Sequence, residues 1–182
     1  MNWKSLLYPL LPSASRRLHD KRRKGLFYRH FSREGLVCQR EQDRVFWDLF
    51  LHPEGGGTFL EVGAGDGAAG SQTLGLEQRH GWTGTLVEPG ERPRRRAQAV
   101  RRCRVEGDAG NGATPESPDL LAVHRPADFP KIWEELRSGR LRPRWVVVEN
   151  REPDPHWCRW LEGRGYRLKF YFHDDEYFKL EP

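Results

Sequence analysis

The segment with the clearest chemical meaning is Glu61-Val-Gly63-Ala-Gly65-Asp66-Gly67, directly after Thr58-Phe-Leu. Glycines at every second position let a backbone turn tightly and let a ligand lie against the main chain. Where a short apolar strand gives way to a helix, such a run marks the strand-to-helix turn of a nucleotide-type site. Two ligand classes fit it. Gly63, Gly65 and Ala68 satisfy a loose dinucleotide fingerprint, yet Glu61 and Asp66 flank the loop with negative charge. Those carboxylates would repel a pyrophosphate seated on a helix N-terminus and would complement the ammonium and sulfonium of S-adenosylmethionine. The expected ligand is therefore S-adenosylmethionine, with Glu61, Gly63, Gly65, Asp66 and Gly67 around it.

Three further residues stand where such a site needs them. Glu88 closes the next apolar segment some twenty residues on, where a carboxylate accepts hydrogen bonds from ribose hydroxyls. Asp108, in Val105-Glu-Gly-Asp108, is placed to meet the adenine amino group, and as a turn-forming residue it is equally well explained. His124 follows Asp119-Leu-Leu-Ala-Val at the carboxyl end of a central strand. An imidazole of ordinary pKa, about 6.5, can take the proton of an attacking hydroxyl, which makes His124 the candidate general base. His173-Asp-Asp-Glu176 reads as a hairpin turn, and no metal site is expected.

The elements that must position these residues alternate. Val45, Phe46, Leu49 and Phe50 recur at helical spacing within Glu41 to Leu51. Strands are expected at Thr58–Val62, Thr85–Glu88, Cys103–Glu106, Asp119–Val123 and Trp145–Glu149, with helices at Ala69–His80, Pro93–Arg102, Phe129–Ser138 and Pro155–Gly163. Tyr166–Phe172 and Glu176–Leu180 should pair as an antiparallel hairpin. The class is α/β, a mostly parallel twisted sheet of Rossmann-like type with a C-terminal hairpin. Between the third and fourth strands only Gly107 to Pro118 remain, rich in Gly and Pro. That link must cross about 14 Å of sheet and return along it. An extended chain of that length reaches roughly 40 Å, so a loop suffices and the crossover helix is expected to be lost.

Residues 1–37 are basic and aromatic without clear period and read as an N-terminal arm or cap; residues 38–182 form the Rossmann-like unit. The formal net charge of +5 arises mainly from Arg16 to Lys24 and Arg92 to Arg104, runs that form no recognised nucleic-acid motif, so nucleic acid is an open partner rather than an indicated one. Cys38, Cys103 and Cys158 are odd in number and contain no Cys-x-x-Cys pair, which suits a reducing cytoplasm. The apolar run Leu6 to Pro12 falls far short of the ~20 residues a membrane span needs.

Several of these segments together resemble the FkbM family of methyltransferases: Gln42-Asp43, Gly57 to Gly67, Ser71, Thr73, Leu76-Glu77, Gly81-Trp82-x-Gly84, Val87-Glu-Pro89, Asp119 to His124, and Arg142 to Asn150. The resemblance implies a Rossmann-like fold, S-adenosylmethionine as cofactor, and O-methylation of a small-molecule, sugar or natural-product acceptor. Residue by residue it implies cofactor roles for Glu61, Gly63, Gly65, Asp66, Gly67 and Glu88, with Gln42, Asp43 and Ser71 near the same pocket. The family usually carries an acidic residue after the fourth strand; here the segment is His124-Arg-Pro-Ala-Asp128.

Overall fold

The computed structural model describes residues 56–108, 117–125, 130–149, 155–172 and 175–182. Within them the chain alternates strand and helix: β1 Thr58–Val62, α1 Leu74–His80, β2 Thr83–Val87, α2 Glu91–Val100, β3 Arg104–Glu106, β4 Leu120–Val123, α3 Pro130–Ser138, β5 Trp145–Glu149, α4 Pro155–Glu162, β6 Tyr166–Phe172 and β7 Asp175–Leu180. The seven strands form one sheet in the order β3-β2-β1-β4-β5-β7-β6. The first five are parallel, while β7 runs antiparallel between β5 and β6. Among the described residues no helix is long and apolar enough to cross a membrane.

Alternation of side chains along each strand divides the core into two layers. Leu60, Val62, Leu121, Val123, Val146 and Val148 face Ile132, Trp133 and Leu136 of α3 and Leu161 of α4. Phe59, Leu86, Leu120, Trp145, Val147 and Tyr177 face Leu76 of α1, Trp82 and Ala97 of α2. Strands β4 and β5 are thus apolar on both sides, which explains their unbroken apolar runs. Each such side chain, removed from water, contributes about 1.5–3 kcal/mol.

Most element boundaries lie within a residue or two of expectation, but α1 does not. Its helix begins at Leu74, not Ala69. The reason is competition for hydrogen bonds: the hydroxyls of Ser71 and Thr73 and the backbone N–H of Gln72 are all drawn to the Glu61 carboxylate, so these residues form an irregular connection instead of a first helical turn. Helix α2 buries only Ala97, and that small residue allows it to press against the glycine loop. The link expected to lack a crossover helix falls mostly at residues 109–116. That segment lies outside the described residues, as do the N-terminal arm and the helix expected at Glu41 to Leu51.

Candidate functional site

Strand β1 hands over to the loop at Gly63, whose N–H donates to the Val87 carbonyl at 2.8 Å. Gly63, Gly65 and Gly67 then adopt φ of 79°, 60° and 74°, left-handed values that suit glycine. Gly65 presents its open side to free space, so a ligand could approach the backbone there. Gly67 has no such room: a Cβ would sit 2.9 Å from that of Ala97. Glu88, just past β2 and buried, ties this loop to the next helix. Its carboxylate accepts from Gly65 N–H at 2.9 Å and from Gly90 N–H at 2.8 Å. Two carboxylate oxygens offer about four lone-pair sites, so capacity for ribose hydroxyls remains.

Most of the backbone donors in and after the loop are already used. Asp66 accepts from the N–H groups of Ala68 and Ala69 at 3.0 and 2.9 Å. Glu61 takes Gln72 N–H at 2.8 Å, and the Ser71 hydroxyl oxygen accepts from Thr73 and Leu74 N–H. Gly67 and Ser71 N–H go to the Ala64 and Ala68 carbonyls. A pyrophosphate would have to displace protein oxygens, two of them carboxylates, to reach these donors.

Behind the loop lies a buried ionic network centred on Glu61, which is fully inaccessible to solvent. Glu61 accepts from the Ser71 and Thr73 hydroxyls, from Gln72 N–H and from His124 Nε2 at 2.8 Å, with Arg101 Nη1 at 3.5 Å. Arg101, equally buried, donates to the Gly67 carbonyl (3.1 Å), Ser71 Oγ (2.9 Å), Thr73 Oγ1 (2.8 Å) and the Glu77 carboxylate. Burial alone would raise the Glu61 carboxyl; the His124 hydrogen bond and charge, the Arg101 guanidinium and the Thr73 hydroxyl outweigh it and hold the pKa down at about 2. Glu61 is therefore an ionised anchor for the loop. Its carboxylate is engaged by Ser71, Gln72, Thr73 and His124 beneath the loop.

His124 follows β4 directly. Strand order and register set β1, β4 and β5 side by side, with Val62, Val123 and Val148 aligned. The ring that follows β4 is consequently held between carboxylates of its two neighbours. Nε2 pairs with Glu61 and Nδ1 with Glu149 Oε2 at 3.1 Å. Burial would lower the pKa of the imidazole, but hydrogen bonds to Glu149 and Glu61 and their charges raise it to about 10. At neutral pH both nitrogens carry protons and both donate. An imidazolium has no free lone pair, so a general-base role for His124 requires release of one nitrogen from its carboxylate partner.

The network extends further along the same sheet edge. Gln72 donates from Nε2 to Asp175 at 3.0 Å, and Asp175 stands opposite Glu149 in the β5–β7 register. Asp108 is exposed and pairs with Lys131 of α3 at 2.8 Å. Ser71 is buried under the loop. Gln42 and Asp43 lie outside the described residues. Sequence reasoning overlooked Arg101, Gln72, Glu77, Glu149 and Asp175. Only Glu149 had a usable signal, since it ends the strand expected beside that of His124. Among the described residues no cluster of His, Cys, Asp and Glu is arranged to hold a metal ion. A shallow cavity of about 330 Å³, lined by Ser117, Asp119, Arg142, Arg144 and Leu180, opens at the opposite end of the strands, away from the glycine loop.

No protein-family model matches this chain, and no curated protein does. Solved structures do match. A TehB-like SAM-dependent methyltransferase from Corynebacterium glutamicum aligns with a TM-score of 0.56 at 14% identity, over 91% of this chain and 100% of that one. A methyltransferase from Pyrococcus furiosus aligns with a TM-score of 0.53 at 18% identity, over 91% and 94%. A SAM-dependent methyltransferase from Geobacter sulfurreducens, in complex with S-adenosyl-L-homocysteine, aligns with a TM-score of 0.51 at 16% identity, over 79% and 71%. The fold is that of the Rossmann-like methyltransferases.

Proposed function

We propose that this chain is an S-adenosylmethionine-dependent methyltransferase acting on a hydroxyl of a small-molecule, sugar or natural-product acceptor. One observation carries the cofactor assignment: the N–H groups of Ala68, Ala69, Gln72, Thr73 and Leu74 are filled by Asp66, Glu61 and Ser71, so a pyrophosphate would have to displace these oxygens. Glu88 keeps acceptor capacity beside an open Gly65, an arrangement that suits an adenosine ribose. In this reading Gly63, Gly65 and Gly67 shape the cofactor face, Asp66 and Ser71 hold the loop, and Glu61 anchors it from behind. Asp108 is assigned to the adenine amino group, and the FkbM resemblance adds Gln42 and Asp43 to the cofactor residues. Support also comes from solved neighbours described as SAM-dependent enzymes, and the FkbM resemblance supports O-methylation.

S-adenosylmethionine supplies a methyl group already activated by its sulfonium. The protein's part is to hold cofactor and acceptor in line, and such positioning supplies much of the acceleration in a transfer of this kind. A second reading, a cofactor-binding module without turnover, is favoured by the use of both His124 nitrogens in the carboxylate clamp. Calorimetry with S-adenosylhomocysteine and with NAD tests the assignment. The expected result is binding of the first alone, weakened about 10- to 100-fold in Glu88→Ala, as the loss of a charged hydrogen-bond acceptor implies. Tighter binding of NAD would reject it, and cofactor binding with no turnover on any hydroxyl acceptor would favour the second reading.

A further inference from the structure

Helix α2 has its charges at the wrong end for its own stability. Its arginines crowd the first two turns, with no basic residue in the last turn. A helix dipole favours anions at the N-terminus and cations at the C-terminus, by about 0.3–1 kcal/mol each. Arg92 and Arg96 are also like charges four apart, a spacing that costs a further 0.2–0.5 kcal/mol or so.

The arginines sort by what they do. Arg101 belongs to the buried network, Arg94 donates to the Glu88 and Pro89 carbonyls, and Arg95 pairs with Glu91. Arg92, Arg96 and Arg102 are exposed and make no ion pair or side-chain hydrogen bond among the described residues. At 3.6 residues per turn, Arg92, Arg95, Arg96 and Ala99 share the stripe opposite buried Ala97; Arg102, exposed just after the extended Arg101 cap, adds a further cation next to the helix end. Apart from the exposed Glu91–Arg95 pair, the stripe makes no contact among the described residues that stabilises the fold.

We propose that the exposed face of α2 and its continuation at Arg102 form a binding surface for a nucleic-acid phosphate backbone. The length fits a polymer better than a single phosphate, because a helix of this size extends about 15 Å. Its composition favours a phosphate backbone over the other polyanionic surfaces. Val100, 49% exposed, is the sole exposed large hydrophobic side chain among the described residues. A protein partner would need an apolar or aromatic centre, and a helix lying in a lipid surface would bury an apolar face there, whereas charge alone holds a basic patch to anionic headgroups only weakly, about 1 kcal/mol per residue. Phosphate backbones need neither; they are held by guanidinium forks and charge. The face starts at Arg92, four residues after Glu88, so a strand lying along it passes beside the proposed cofactor edge. An RNA partner would bring ribose 2′-hydroxyls to a protein proposed to methylate hydroxyls. The binding surface itself does not depend on that reaction.

The test is fluorescence anisotropy of the full chain with a labelled RNA hairpin, a DNA duplex of matching sequence and phosphatidylserine vesicles, between 50 and 200 mM salt. Nucleic-acid binding should weaken linearly in log–log form with salt. In the triple variant Arg92→Gln, Arg96→Gln, Arg102→Gln the slope should fall by about 2 to 3, at roughly 0.7–0.9 per contact, with affinity at low salt down at least about tenfold. The RNA and DNA arms identify which backbone is preferred, and either supports the surface. S-adenosylhomocysteine affinity should not change in the triple variant, which separates failure of this surface from failure of the cofactor assignment. Absence of salt-dependent binding, an unchanged slope in the variant, or tighter association with vesicles would each overturn the proposal. Should the triple variant fold poorly, Arg102→Gln alone, lying outside the helix, should still lower the slope by about 1.

Discussion

The imidazolium assigned to His124 can be tested by pH alone. With a folded-state pKa of about 10 against an ordinary value near 6.5, the native protein keeps a proton that the unfolded chain gives up. This contribution to stability is fully present below pH 6.5 and is lost as pH rises towards 10, a total of about 5 kcal/mol at 1.36 kcal/mol per pH unit of difference. Between pH 6.5 and 8.5 the expected loss is about 2 kcal/mol, a large share of the 5–15 kcal/mol typical of a domain. Urea unfolding of the wild-type chain and of His124→Gln across that interval measures it. Only the wild type should lose this increment. Subtracting the variant's curve removes losses of the same sign from Cys103 and Tyr166, which burial pushes up to about 12. Nitrogen NMR of the ring should show imidazolium shifts still at pH 8. Parallel stability curves, or a ring titrating near 6.5, would refute the clamp. A turnover profile rising through 6.5 and vanishing in His124→Gln would restore the general base.

Two further outcomes follow from the geometry of the loop. Removing Arg101 as Arg101→Met leaves Glu61 and Glu77 buried beside an apolar side chain and should cost about 3–5 kcal/mol, read as a fall in urea midpoint; a loss below about 1 kcal/mol would show that the network is inert. Gly67→Ala places a Cβ 2.9 Å from that of Ala97 at a φ of 74° and should destabilise by about 1–3 kcal/mol, measured by thermal unfolding; unchanged stability would mean that α2 shifts freely away from the loop.

The sheet was legible because its strands carry their own evidence. Trp145-Val-Val-Val-Glu149 is an unbroken apolar run, and the strand buried on both faces has those same bounds. The glycine loop announced itself by spacing. What lay beyond reach were contacts between residues distant in sequence. The start of α1 depends on a carboxylate at Glu61 that captures Ser71, Gln72 and Thr73, and helical periodicity at Ala69 carries no trace of it. Arg101 closes a dense basic run, and composition alone cannot separate the one buried guanidinium from exposed neighbours. His124 was placed correctly at a strand end but judged in isolation. Aligning the ends of the expected β1, β4 and β5 sets it between Glu61 and Glu149, and the chemistry of the ring changes once those partners are present.

The antiparallel strand β7 has a consequence for how the chain is made. It lies between β5 and β6, although every other described strand precedes it in sequence. During synthesis β5 therefore stays an unpaired edge until residues 166–180 emerge and fold back as a hairpin. An apolar edge strand of this kind readily recruits a strand from another chain. The same late strand carries Asp175, which accepts from Gln72 beneath the glycine loop. Chains interrupted before that point would be both sticky and incomplete at the site, so quality control of nascent chains would find its clearest target in an exposed β5.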